Sequence, residues 1–272
     1  MTEYFVLGII QGISEWLPVS SEGLIVLAST WFSGSAIDLP DLIRFSLFLH
    51  LGTFFAAFVY LRRDVWKLLQ GLFWHTPDAW TRQTTRFLII STGISGIVGV
   101  LLLYAIGEAA ETFELGARGI MVAVGALLLI TGWLQLKKQR ISGSQISGDL
   151  RRGENLALSD GILLGLVQGF AVLPGISRSG ITVATLLMRK IDDTEALRLS
   201  FLMSLPIVLA GNILLNAQFF TEIKSADVVA LAASFVFGLA TIHVFLRIAR
   251  RVNFGWFAIG FGVLMMITPV LI

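Results

Sequence analysis

None of the 272 residues is cysteine, which excludes disulfides, thiolate metal sites and thiol catalysis. Charge is scarce: Asp, Glu, Lys and Arg together make up 14%, against about 25% in an ordinary soluble domain. The charges nearly cancel, to a net +2, so nothing draws the chain to nucleic acid, and the positions of Lys and Arg say more than their sum. There are only three histidines and six prolines, so each interrupts its surroundings. Met1-Thr2-Glu3-Tyr4 supplies no basic segment ahead of the first apolar run, which predicts that no signal peptide is cleaved there. What fills the chain instead is apolar. Hydrophobic residues make up 56% and the mean hydropathy is +0.83, the composition of an integral membrane protein.

Apolar runs over 42–61, 87–106, 116–136, 197–215, 228–246 and 254–271 each approach the roughly 20 residues needed to cross about 30 Å of hydrocarbon. Four shorter runs, 4–17, 23–32, 157–173 and 181–188, do not. They pair around Pro18 and Pro174, which predicts re-entrant hairpins, tolerable at depth only where buried in protein or facing a polar cavity. The expected fold is therefore an all-α polytopic membrane protein with six transmembrane helices and two re-entrant helical hairpins. Arg62, Arg63, Lys67, Arg82 and Arg86, with Lys137, Lys138 and Arg140, mark one set of loops. Glu108, Glu111 and Glu114 mark the other, with Arg118 beside them. The positive-inside rule makes the basic set cytoplasmic. The stretch 65–76 reads as interfacial, with Trp66, Trp74 and Trp80 at headgroup level.

The chain repeats itself. Gln11-Gly12 followed by Leu17-Pro18-Val19-Ser20-Ser21-Glu22-Gly23 matches Gln168-Gly169 followed by Leu173-Pro174-Gly175-Ile176-Ser177-Arg178-Ser179-Gly180 once one residue is dropped. Arg44-Phe45-Ser46 likewise matches Arg198-Leu199-Ser200. An odd number of spans between the two hairpins predicts opposite orientations, an inverted-topology repeat whose site lies near mid-membrane. The expected division is a first repeat over 1–140, a polar cytoplasmic connector over 141–155, and a second repeat over 156–272.

At the second turn, Pro174 and Gly175 break the arriving helix, and the next helix is expected to start at Ile181. Its free amides and positive dipole end would then face whatever Arg178 binds, with Ser177, Ser179 and Thr182 around it. An Arg at membrane depth costs about 2.5 to 3.5 kcal/mol on insertion scales, so it marks a functional site by default. In the first turn, Gln11 and Glu15 stand four apart on one helical face, followed by Ser20 and Ser21. An acid, hydroxyls and a guanidinium at a helix start suit phosphoryl transfer. A bland alternative for Glu15 is a neutral acid bonded to backbone freed at Pro18; for Arg178 it is snorkelling to the interface. Inverted repeats with broken helices also suit a lipid-phosphate flippase or anion transporter that binds without hydrolysing.

Gln11-Gly12-Ile13-Ser14-Glu15-Trp16-Leu17-Pro18-Val19-Ser20-Ser21 and Pro174-Gly175-Ile176-Ser177-Arg178-Ser179-Gly180-Ile181-Thr182 together resemble the two motifs of the undecaprenyl pyrophosphate phosphatase family, the bacitracin-resistance phosphatases. The resemblance covers nearly the whole chain. It implies hydrolysis of a polyprenyl diphosphate to the monophosphate and inorganic phosphate, dependent on a divalent cation, Mg or Ca, in a plasma-membrane enzyme whose site opens to the outer face. By the same resemblance Ser21 is the nucleophile, Glu15 serves proton transfer or the metal, and Arg178 binds diphosphate. Gln11, Ser20, Gly175, Ser177, Ser179 and Thr182 are the expected substrate contacts. The expected partners are the lipid diphosphate, the bilayer and a second copy of the chain in a homodimer. The chain departs from the family at Leu24, where members commonly carry a histidine. Three readings stay open: Glu15 serves as base, His50 or Glu22 compensates, or the activity has changed.

Overall fold

The computed structural model describes residues 1–17, 20–33, 39–73, 78–113, 150–173 and 176–248, with single positions between 122 and 136 and between 256 and 267. The described residues are all-helical. In chain order the helices are α1 (Thr2–Ser14), α2 (Ser21–Ser33), α3 (Leu39–Tyr60), α4 (Arg62–Phe73), α5 (Ala79–Phe113), α6 (Leu158–Gly169), α7 (Arg178–Met188), α8 (Asp193–Leu215) and α9 (Ser225–Ile248). Three stretches, Ala79–Ala105, Thr194–Leu215 and Ser225–Val244, are long and apolar enough to cross a membrane. The pair Arg44–Tyr60 and Arg62–Phe73, bent by 84° at the break, meets the same measure only when taken together. The runs expected over 116–136 and 254–271, and most of the connector over 141–155, lie outside the continuously described residues.

The helices pack as membrane helices do, through small residues that let backbones approach. On α1, a Cβ at Gly8 would fall 2.2 Å from the Ala230 carbonyl oxygen and one at Gly12 2.7 Å from that of Ser234, so glycine is what lets α1 lie on α9. On α6, a Cβ at Gly165 would fall 2.7 Å from Ile94 Cβ and one at Gly169 2.5 Å from Val98 Cβ, which lets α6 lie on α5. Each short helix thus rests on a long helix from the other half of the chain. Between them Trp16, Phe201, Leu202 and Ile242 form a buried core, with the Trp16 ring edge-on to Phe201 at 5.0 Å.

Local hydrogen bonds set the helix ends, and two differ from expectation. The apolar run predicts a helix over 87–106, yet α5 begins at Ala79. The Asp78 carboxylate accepts from the Thr81 amide and hydroxyl, both at 2.9 Å; these bonds hold the Asp78 carboxyl below its ordinary value and fix the start of a polar leader that hydropathy passes over. Helix α7 begins at Arg178, three residues before the expected Ile181, because the Ser177 hydroxyl accepts from the Gly180 amide at 3.1 Å. Trp80, at the start of α5, belongs to a polar network. Its indole donates to Glu195 Oε1 at 2.5 Å, and the Arg198 guanidinium lies 4.3 Å from its ring centroid, while Arg198 also pairs with Asp64. This network ties the starts of α5 and α8 to α4.

A second polar lock fastens the far hairpin. Asp160, fully buried, accepts from Arg151 at 2.6 Å and from Arg189 at 2.7 Å. It joins the start of α6 to the end of α7. Unpaired, that carboxylate would be expensive to bury, so the two guanidinium partners are what make the position tenable.

Candidate active site

Two turns meet at the centre of the molecule. The first follows α1, which carries Gln11 on its last turn and ends at Glu15. The second precedes α7. Each turn ends in a serine cap: Ser20 Oγ accepts from the Gly23 amide at 3.1 Å, as Ser177 Oγ does from Gly180. Ser21 and Arg178 are consequently the first residues of their helices. Both helix N-termini, with their unpaired amides, converge on one region. The Ser179 hydroxyl donates to the Leu17 carbonyl at 2.9 Å, fastening one turn to the other.

Glu15 is the hub. Its Oε2 accepts from Gln11 Nε2 at 2.9 Å and Ser21 Oγ at 3.1 Å, and His50 Nε2 stands 3.2 Å away. Its Oε1 accepts from the Arg178 guanidinium at 2.5 Å, across 163 residues of chain. Arg178 also donates to the Ser200 carbonyl at 3.2 Å. The carboxylate is buried, 6% exposed, so these are charge-assisted bonds in a region where water competes weakly.

His50 has a constrained tautomer. Its Nδ1 lies 2.7 Å from the Ser46 carbonyl, which can only accept, so Nδ1 carries a hydrogen. In a neutral ring Nε2 would then present a lone pair to Glu15 Oε2. A proton must therefore lie in that contact, held between imidazole and carboxylate.

These groups line one end of a cavity of about 210 Å³. Glu15, Ser20, Ser21, Glu22, His50, Ser177, Arg178 and Ser179 all face it. Gln11 and Thr182 do not. Gln11 stands behind Glu15, and Thr182 bonds the Arg178 carbonyl at 2.7 Å and Ser200 Oγ at 2.7 Å, so both support the groups in front. Gly175 lies outside the described residues. Glu22 lines the cavity with no hydrogen bond or ion pair to another described residue. Gln168 and Ser95, which sequence reasoning did not assign to the site, line its far wall and bond each other at 3.1 Å. The Gln168 amide oxygen is buried without a partner among the described residues. The signal for Gln168 was its place in the repeat, opposite Gln11; Ser95 sits in a run that reads as span and gave none.

A divalent cation held by Glu15 does not fit this arrangement. Both its oxygens are occupied, one by a guanidinium that would repel the ion. Among the described residues there is no group of three or more His, Cys, Asp or Glu side chains able to hold a metal.

Comparison with known proteins follows the geometry. A family model described as bacitracin resistance protein BacA matches residues 4–265. A protein of Methanococcoides burtonii named undecaprenyl-diphosphatase is 41% identical, over 98% of each chain. One of the same name from Haloarcula marismortui is 37% identical over 94% of this chain and 92% of its own. Undecaprenyl-diphosphatase 2 of Halalkalibacterium halodurans is 28% identical over 96% and 93%.

Proposed function

The chain belongs to the bacitracin resistance protein BacA family, and from that premise we propose that it is an integral membrane undecaprenyl-diphosphatase. It releases inorganic phosphate from a polyprenyl diphosphate and returns the monophosphate carrier to cell-envelope synthesis. The observation that carries this reading is the Glu15 carboxylate, bonded on one oxygen by the Ser21 hydroxyl at 3.1 Å and on the other by Arg178 at 2.5 Å. Nucleophile, base and anion binder thus share one wall of one cavity.

The chemistry follows from those contacts. A guanidinium has five N–H donors, and the bonds to Glu15 and Ser200 occupy two of them, which leaves Arg178 able to bind a phosphate without releasing Glu15. With the terminal phosphate there, Ser21 Oγ attacks phosphorus as its proton passes to Glu15 Oε2. The bond to the bridging oxygen breaks, and the polyprenyl monophosphate departs with its developing charge facing Arg178 and the first amides of α7. The proton held between His50 and Glu15 is available to that oxygen. Water then attacks the phosphoserine and gives its proton to Glu15, the bond from phosphorus to Ser21 Oγ breaks as Glu15 returns a proton to that oxygen, and inorganic phosphate leaves with the serine restored. The divalent cation that the resemblance implies would enter with the diphosphate oxygens. None of these steps runs through it.

The finer architecture of six spans and two re-entrant hairpins in an inverted repeat belongs to the same reading, with repeats over 1–140 and 156–272. It is supported by the matched serine caps at Gly23 and Gly180 and by the reciprocal packing of α1 on α9 and α6 on α5. An outer-facing site in the plasma membrane is supported by the basic residues Arg82, Arg86, Arg189 and Lys190 at the opposite end of the bundle from the cavity mouth. The test is phosphate release from undecaprenyl diphosphate by the purified chain in detergent. Wild type should release phosphate and Ser21→Ala should not; a wild-type protein that binds the lipid and releases none is a carrier.

A further inference from the structure

The cavity does not end at the polar wall. From Glu15 and Arg178 it continues, as the same space, between the 95–103 stretch of α5 and the 207–215 stretch of α8. These two helices are bound at their starts by Trp80, Glu195 and Arg198. They run in one direction from there and flank the cavity farther along, about 28 Å from Trp80 at about 1.5 Å per residue. Val100, Leu214 and Leu215, which are 56%, 74% and 52% exposed, form the rim.

Three glycines in that stretch differ from those that let helices touch. A Cβ at Gly96 would meet nothing within 4 Å. One at Gly99 would find its nearest neighbour, the Gly169 carbonyl oxygen, at 3.9 Å, and one at Gly211 would find Leu47 Cδ1 at 3.6 Å. All three line the cavity. Glycine weakens a helix interior relative to alanine, and no neighbour here demands it.

We propose that Gly96, Gly99 and Gly211 floor a slot for the first isoprene units of the prenyl chain, and that their missing side chains determine which lipid diphosphates are accepted. This rests on the diphosphatase reading above. The occupant is set by continuity: the slot begins where the phosphate wall ends, is apolar, and opens at the rim into hydrocarbon, where the remaining units lie among lipid tails. At about 210 Å³ the cavity falls below the roughly 300–1,000 Å³ of sites that enclose a whole small ligand. It can hold the head and the first units only.

The experiment fills the slot. Gly99→Leu and Gly211→Leu should lower kcat/KM for undecaprenyl diphosphate at least tenfold, chiefly through KM. Gly93→Leu is the control: it lies on α5, its Cβ also meets nothing within 4 Å, and it does not line the cavity. A loss with Gly93→Leu equal to that with Gly99→Leu, or no loss with either slot variant, overturns the proposal. The cysteine-free chain gives a second readout that needs no turnover. Gly99→Cys should be protected from N-ethylmaleimide by undecaprenyl monophosphate and not by inorganic phosphate, and labelling blind to the prenyl ligand overturns the slot. A wild type that releases no phosphate refutes the hydrolytic reading instead, and the labelling then decides the slot alone.

Discussion

Replacing Arg178 by lysine keeps the charge and removes the fork. In the structure the guanidinium spans two acceptors on different elements, Glu15 Oε1 at 2.5 Å and the Ser200 carbonyl at 3.2 Å, and offers its remaining N–H groups to the cavity. A lysine ammonium is a point charge that cannot hold both anchors and a phosphate in one geometry. Hydrogen bonds to charged groups contribute about 1.5 to 3 kcal/mol each. Losing one such bond in the transition state therefore lowers kcat/KM by roughly ten- to 150-fold at about 1.36 kcal/mol per decade. The assay is phosphate release in detergent from undecaprenyl diphosphate, with circular dichroism to establish that the helices persist. Arg178→Lys within threefold of wild type would refute the claim that a two-pronged cation holds the diphosphate.

Other consequences are testable alongside it. Ser21→Ala should abolish release, and acid quenching of wild type mixed with substrate should trap phosphate on Ser21; a quench that labels no serine would favour direct attack by water. His50→Ala should lose at least tenfold in kcat, whereas His243→Ala, whose ring bonds Tyr60 at 3.0 Å at the surface, should stay near wild type; equal effects would remove His50 from the site. Asp78→Ala should destabilise the start of α5 by about 1 kcal/mol, the usual worth of such a cap. The folded Asp78 carboxyl lies below its ordinary value of 3.8, so its contribution is full above that pH and fades as pH falls through the lower folded value. The melting difference between wild type and Asp78→Ala should accordingly shrink in acid, and a constant difference would contradict the cap.

The site was legible where chemistry and repetition coincide. Arg178 and Glu15 stand out as charges in apolar sequence, and the repeated Gln-Gly and Pro elements place their turns opposite each other. What sequence hid has physical reasons. Ser200 contributes a carbonyl to Arg178, a role any residue type could fill. Ser95 reads as one more small residue in a span, and only its contact with Gln168, 73 positions away, brings it to the cavity. The start of α7 at Arg178 depends on which of several serines turns its hydroxyl to an amide, and the partners of Trp80, Glu195 and Arg198, come from a helix that starts more than a hundred positions later. His50, one of several candidates from sequence, stands against Glu15 because α3 passes behind the first turn, which neither segment announces.

The account depends on contact between two turns that lie 163 residues apart in the chain. The most direct test is thermal unfolding of the purified protein as Glu15→Gln, Arg178→Gln and the double variant. Each single change breaks the pair while keeping one of its buried charges and should lower Tm by several degrees, and the double, with neither of the two charges, should lose less than the sum of the two single losses. A double variant whose Tm falls by the sum of the two single losses would mean that Glu15 and Arg178 do not meet.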